Sequence, residues 1–227
     1  MSATTGAGTP PSEQELRVEL CRVGRAMWER GYVSANDGNV SVRLPDGSVL
    51  CTPTGVSKGF MTPEMLPVVA LDGTVLRDGD GRGPSSEVLM HLRAYTTDER
   101  VGAVVHAHPL YATAFAIKGE ALTGLLMPET IVMMPEVPLA PYATPSTVEV
   151  PDSIEPFIRS HHGCLLEHHG ALTWGPDLMT AYLGMERLEY SARMTATVRQ
   201  LGGERELSPE RVAELRRIFG VDRPAVD

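Results

Sequence analysis

Two histidines flank a single alanine in Val104-Val105-His106-Ala107-His108-Pro109. The apolar run leading into them reads as a buried strand over 102–107, and along a strand every second side chain points to the same face. Two imidazoles held in that way can chelate one divalent cation. His168-His169-Gly170 offers a third imidazole from what reads as another strand end. Three protein nitrogens with a position left open describe a catalytic zinc site rather than a closed structural one. Taken alone, an H-x-H pair also fits histidines bonded to backbone inside a core. His161-His162, beside Gly163, reads as a solvated loop pair.

A second group of residues suits an anion. Pro84-Ser85-Ser86-Glu87 opens a helix, with Ser85 or Ser86 expected as N-cap and Glu87 complementing the helix dipole. The N–H groups and hydroxyls that converge at such a start can equally hold a phosphate. Asp37-Gly38-Asn39-Val40-Ser41 and Thr52-Pro53-Thr54-Gly55 are two further turns of small residues with neutral donors. Each alone is an ordinary turn; three beside a histidine cluster make a stronger case. Lys58, shortly after Gly55, reads as an exposed loop lysine.

Elements that could position these residues follow from the pattern. Ser12-Glu13-Gln14-Glu15 matches a capping box, apolar residues follow at helical spacing, and Gly31 stops the helix. Val40, Val42 and Leu44 alternate before Pro45-Asp46-Gly47, which predicts a hairpin with 48–52. A short helix is expected from Thr62-Pro63, a tight turn between strands over 71–75, a helix over 86–96, and another over 109–118 with Pro109 in its first position. Residues 122–144, interrupted by Pro128, Pro135, Pro138 and Pro141, predict strands and loops, including a strand around Ile131. A helix within 147–160, strands over 164–167 and 171–174, a long helix from Pro176 to Gly202-Gly203, and a last helix from Ser208-Pro209 complete the chain. Interleaved helices and strands without an internal repeat imply one α/β domain.

Composition narrows the function classes. The chain has 227 residues and a formal charge of −9, so nucleic acid is an improbable principal partner. No apolar run approaches a membrane span, and the first eleven residues lack a signal-peptide pattern. Three cysteines, Cys21, Cys51 and Cys164, form no disulfide framework, which fits a cytoplasmic protein.

Gly38-Asn39-Val40-Ser41, Thr52-Pro53-Thr54-Gly55, Pro84-Ser85-Ser86-Glu87, Val105-His106-Ala107-His108, Ala140-Pro141-Tyr142 and Glu167-His168-His169-Gly170 occur in that order. This series resembles the class II, zinc-dependent aldolase and adducin head-domain family, and most of all its L-fuculose-1-phosphate aldolases. The resemblance implies a single-domain α/β class II aldolase fold over residues 12–220, between tails at 1–11 and 221–227. Its central sheet would be largely antiparallel, with helices on both faces. It implies His106, His108 and His169 as metal ligands, with Glu87 both touching the metal and acting as acid/base. Gly38, Asn39, Thr54, Gly55, Ser85 and Ser86 would hold the substrate phosphate through amides and hydroxyls, which suits an acidic chain.

The implied cofactor is one Zn2+ per subunit, with Mn2+ or Co2+ as alternatives. The implied assembly is a homotetramer with interfacial active sites, and the implied reaction is cleavage of a ketose 1-phosphate to dihydroxyacetone phosphate and an aldehyde through a zinc-stabilised enediolate. One departure stands out. Where bacterial fuculose-phosphate aldolases carry a tyrosine as second proton-transfer group, this chain places Met127, and Glu129 is the nearest replacement. Tyr142 and Tyr182 better suit packing. Sibling activities stay open: a methylthioribulose-1-phosphate dehydratase using Glu129, or a decarboxylase acting on a phosphorylated sugar acid. The full set of ligands, with Glu87, argues against a non-catalytic adducin-like scaffold.

Overall fold

The structure, a computed structural model, describes residues 10–221; the expected tails otherwise lie outside the described residues. In chain order its elements are α1 (Glu13–Glu29), β1 (Asn39–Arg43), β2 (Val49–Cys51), β3 (Val68–Val69), β4 (Val75–Arg77), α2 (Val88–Thr97), β5 (Ala103–Ala107) and α3 (Leu110–Lys118). There follow α4 (Pro128–Met133), β6 (Leu139–Ala140), α5 (Glu149–Ile158), β7 (Gly163–Leu166), β8 (Gly170–Gly175), α6 (Leu178–Gln200) and α7 (Pro209–Phe219). Short 3-10 turns occupy Lys58–Phe60 and Pro63–Met65.

The strands form one sheet in the order β4-β3-β2-β1-β5-β8-β7-β6. Every pairing is antiparallel except β6 with β7. Alternation along the strands gives the sheet two apolar faces. Val40, Val42 and Val105 pack with Leu20 and Met27 of α1, Phe115 of α3, and Met185 and Leu188 of α6. Val49, Val104, Leu172 and Trp174 pack with Met90 and Leu92 of α2, and Ile154 and Ile158 of α5. Full burial of each such side chain contributes roughly 1.5–3 kcal/mol. The helices therefore cover both faces, as the family resemblance implies.

The N-terminal capping box forms as the sequence predicts. Glu15 N–H donates to Ser12 Oγ at 3.3 Å and Ser12 N–H donates to Glu15 Oε2 at 2.7 Å. Gly31, with φ +70°, follows the last turn of α1. The β1–β2 hairpin also stands where expected.

Three local expectations are corrected. Residues 128–133 are the helix α4, not a strand at Ile131. Pro128 sits in the first turn, where its missing N–H is harmless, and Ile131 and Met134 share a buried side; so short an apolar run cannot be assigned by periodicity. Glu87, rather than Ser85 or Ser86, is the N-cap of α2, and it makes no side-chain cap bond. Ser85 Oγ instead accepts from Glu87 N–H at 3.4 Å. Pro109 caps α3 from outside the helix and does not occupy its first position.

Candidate active site

Site residues come mostly from the ends of the central strands. Asn39 on β1 pairs with His106 on β5, and Ser41 with Val104. Since Val40 and Val42 face α1 and α6, Asn39 and Ser41 face α2, the side on which Val104 and His106 also lie. His108 stands just beyond the end of β5. His169 sits in the β7–β8 turn, where His168 adopts a left-handed φ of +56° and Gly170 leads straight into β8. A side chain at Gly170 would collide with the Ala107 carbonyl oxygen, 2.5 Å from its Cβ position. The His-His-Gly order is thus what lets β8 lie against β5 while His169 turns toward the other two histidines.

The three imidazoles meet. One ligand-type nitrogen from each of His106, His108 and His169 lies within 4.8 Å of the others. The two Nε2 atoms of His106 and His108 are 3.1 Å apart. His106 is fully buried, and its Nδ1–H donates to the Ala171 carbonyl at 3.0 Å, which leaves the Nε2 lone pair aimed inward. Burial, reinforced by the neighbouring His108 and His169, pushes the His106 imidazole well below its usual range. Burial and His169 also lower His108, against the opposing influence of Asp37 and Glu87. Neutral imidazoles with converging lone pairs repel one another unless a cation lies between them, so this donor set fits a divalent metal.

Glu87 is the carboxylate beside them, with Oε1 3.3 Å from His169 Nε2 and Oε2 3.5 Å from His106 Nε2. Asp37 Oδ2 stands 3.9 Å from His108 Nδ1, on the far side of that ring. Sequence reasoning treated Asp37 only as part of a turn. His161 and His162 are elsewhere: their carbonyls accept from the side-chain and main-chain N–H of Trp174, respectively.

The three small-residue turns converge as well. Asn39 Nδ2 donates to Ser85 Oγ at 3.2 Å, and Pro53 and Pro84 form an isolated bridge. Ser85 N–H donates to the Thr52 carbonyl, and Thr54 N–H to that of Gly83. Those two N–H groups are therefore spent on holding the turns together and do not serve an anion. Gly38 has φ +71°, and a Cβ there would lie 2.9 Å from the His106 carbonyl oxygen. Only glycine satisfies both conditions.

Lys58 contradicts the sequence expectation. It is 2 % exposed, and its ammonium donates to the carbonyls of Asn36 at 2.8 Å and Val56 at 2.9 Å, tying the first two turns together. Its short apolar neighbours in sequence gave no sign of this, because the burial is made by α1 packing on the Lys58–Phe60 turn. Burial pushes its pKa down to about 8 from 10.5, although Asp37 and Glu87 pull it up. A lysine with a lowered folded-state pKa destabilises the fold while protonated, and that cost vanishes as pH climbs from about 8 toward 10.5. The unfolding free energy of the wild type minus that of Lys58→Met should therefore rise by on the order of 2 kcal/mol over that window. Urea unfolding at several pH values measures it. A flat difference would refute the buried charge.

Glu129 is exposed on α4. It lines a cavity of about 890 Å³ with Arg30, Tyr32, Met127, Glu186 and Tyr190. His108 N–H donates to the Tyr32 carbonyl at 2.9 Å, so this cavity adjoins the histidine cluster without including it. Tyr182 is buried and its hydroxyl accepts from Arg30 Nε, as a packing role requires. Tyr142, by contrast, is exposed, its ring edge-on to His168, so it is not packed as expected.

Comparison with known proteins places the chain in a family. Residues 18–196 match the family model of the Class II Aldolase and Adducin N-terminal domain. The 3-oxo-tetronate 4-phosphate decarboxylase of Escherichia coli K12 is 36% identical over 210 residues, covering 90% of this chain and 96% of the relative. The L-fuculose phosphate aldolase of Methanococcus maripaludis is 33% identical over 184 residues, covering 81% and 97%. The crystal structure of YgbL from Klebsiella pneumoniae superposes with a TM-score of 0.83 at 31% identity, covering 91% of this chain and 100% of that one. With a match over so much of its length, and with relatives above 30% identity spanning nearly their whole chains, this protein belongs to the class II aldolase and adducin family.

Proposed function

We propose that the chain is a metal-dependent decarboxylase of a phosphorylated 3-oxo sugar acid such as 3-oxo-tetronate 4-phosphate, yielding CO2 and dihydroxyacetone phosphate. The single observation that carries this choice is that Glu87 is the carboxylate set against the Nε2 atoms of His106 and His169, whereas Asp37 reaches the cluster only at the far side of the His108 ring. In such an acid the carboxylate is β to a ketone. Breaking the C1–C2 bond leaves CO2 and places the electron pair on the ketone oxygen as an enediolate. One proton, delivered to C2, completes dihydroxyacetone phosphate. No hydroxyl proton has to be removed, so one acid suffices. Cleavage of a ketose 1-phosphate reaches the same enediolate but requires a second group to take the proton of the C4 hydroxyl. Met127 cannot do so.

His106, His108 and His169 would hold the cation, Zn2+ by default. When bound, it would supply Lewis acidity toward the ketone and hydroxyl oxygens. Glu87 would carry the proton to carbon. Gly38, Asn39, Thr54, Gly55, Ser85 and Ser86 would position the phosphate, with Lys58 providing a buried positive charge beneath the turns. The homotetramer with interfacial sites and the cytoplasmic location belong to the same proposal. Exposed Leu110 and Tyr190 beside the Glu129 cavity support a subunit contact there. Among the described residues no helix is long and apolar enough to cross a membrane.

Aldol cleavage of L-fuculose 1-phosphate is the second reading, favoured by similarity to the Methanococcus maripaludis aldolase. In it Glu129 would act as the second acid/base from across the adjoining cavity. The two readings separate in one assay. With 3-oxo-tetronate 4-phosphate the protein should release CO2 and dihydroxyacetone phosphate in equal amounts, at a rate about 100-fold or more above any release of dihydroxyacetone phosphate from L-fuculose 1-phosphate. Faster cleavage of the ketose phosphate, with no CO2 from the acid, would overturn the first reading in favour of the second.

A further inference from the structure

A buried polar chain runs from α2 to Glu87. Tyr95 OH lies 2.7 Å from Ser41 Oγ, and Ser41 Oγ lies 2.7 Å from His91 Nδ1. His91 Nε2 is 2.5 Å from Asn39 Oδ1, and Asn39 Nδ2 is 2.9 Å from Glu87 Oε2 and 3.2 Å from Ser85 Oγ. Ser41, His91, Tyr95 and Asn39 are each no more than 3 % exposed. Glu87, His91 and Tyr95 are spaced four residues apart, and so share one side of α2.

Chemistry gives this chain one direction. A carboxylate accepts, so Asn39 must turn its NH2 toward Glu87 and its carbonyl toward His91. That carbonyl can only accept, so the His91 proton must reside on Nε2. Nδ1 then carries the lone pair, Ser41 must donate to it, and the Ser41 oxygen is left to accept from Tyr95. Burial pushes His91 down to about 3, so no second ring proton reverses the order near neutral pH. Were the Asn39 amide to flip, its carbonyl would face the Glu87 carboxylate and Ser85 would lose a donor.

We propose that Ser41, His91 and Tyr95 are positioning residues, whose one-directional hydrogen-bond relay locks the amide of Asn39 and through it aims Glu87 at the histidine cluster. A neutral polar network at this depth adds little stability over well-packed apolar side chains of the same volume. Its gain is the orientation. The proposal rests on the reading of Glu87 as the proton carrier, but its central observable does not.

Imidazole 15N spectra of metal-free and zinc-loaded protein should show His91 neutral, with the proton on Nε2 and a bare Nδ1, unchanged from pH 6 to 9. His91→Leu should lower kcat by about 10-fold or more, with KM moving less than about threefold, because misaiming Glu87 harms the chemical step more than binding. His91→Gln, whose amide can still donate to Asn39, should recover most of that loss. A role in folding alone would make the two variants alike. If His91→Leu does not fold, Ser41→Ala takes its place: it removes the donor to Nδ1 and should reduce kcat, while the Asn39 carbonyl keeps the His91 proton on Nε2. A proton on Nδ1 in the wild type, or a glutamine variant no better than leucine, overturns the relay. If the wild type turns over neither substrate, the proposed function fails, and the tautomer alone then decides the relay.

Discussion

Replacing His106 by alanine is expected to remove bound metal from the protein, from about one zinc per chain to below about 0.1, and to lower turnover by at least about 1,000-fold. The size of the effect follows from where the ring sits. His106 has no exposed surface, its Nδ1–H is committed to the Ala171 carbonyl, and its Nε2 lies 3.1 Å from that of His108. It is therefore the ring whose lone pair is held most rigidly toward the centre. Loss of an outer partner that merely orients a ligand typically costs 10–100-fold in affinity, so loss of the ligand itself should exceed that. Metal analysis after dialysis, with circular dichroism to confirm an intact fold, checks the expectation. Equal and near-zero metal in wild type and variant would return the chain to the scaffold reading.

Glu87→Gln should separate binding from chemistry. The substitution preserves shape, and the glutamine carbonyl can still accept from Asn39 Nδ2, now 2.9 Å from Glu87 Oε2. Three imidazoles remain, so zinc content should stay above about half of the wild-type value. The amide cannot carry a proton to carbon, and kcat should fall about 100- to 10,000-fold. A sharper readout avoids the full reaction. In heavy water the wild type should exchange a carbon-bound hydrogen of dihydroxyacetone phosphate, the microscopic reverse of the last protonation, and Glu87→Gln should not. Exchange within tenfold of wild type would assign the proton to another group.

Both effects depend on contacts between segments far apart in sequence, yet the residues involved were legible beforehand. An H-x-H on a strand and a His-His-Gly turn each restrict local geometry enough to nominate their own side chains, whereas Glu87, locally a helix entry, is nominated by the family resemblance. The α1 capping box and the β1–β2 hairpin were equally plain, because both are signalled within a few residues. The strand expected at Ile131 failed for a matching reason. Over six residues an apolar run carries no period, and Pro128 fits a strand boundary as well as a first helical turn. The N-cap of α2 shifted to Glu87 because Ser85 is drawn into the bonds that join the turns.

Lys58 and His91 mark the limit of local reading. A lysine in a loop is ordinarily solvated, and nothing in Val56-Ser57-Lys58-Gly59 says otherwise. Its burial arises because α1 packs over that turn, and the carbonyls of Asn36 and Val56 offer its ammonium partners that water would otherwise provide. Glu87, His91 and Tyr95 lie four residues apart in the sequence, but a histidine and a tyrosine on a helix face equally fit ordinary core packing. The register of β1 against β5 supplies the missing fact, since it sets Asn39 and Ser41 opposite His106 and Val104 and on the side facing α2.

The sequence by itself determined the family, and it nominated residue types suited to binding a cation and moving a proton and turns suited to an anion. Those properties reside in side-chain chemistry and in spacings of a few residues. Only the tertiary structure decided which groups lie within reach of one another, which are stripped of water, and which way their hydrogen bonds run. Distance, desolvation and hydrogen-bond polarity are set by atoms contributed from strands and helices remote in the chain, and no local pattern encodes them.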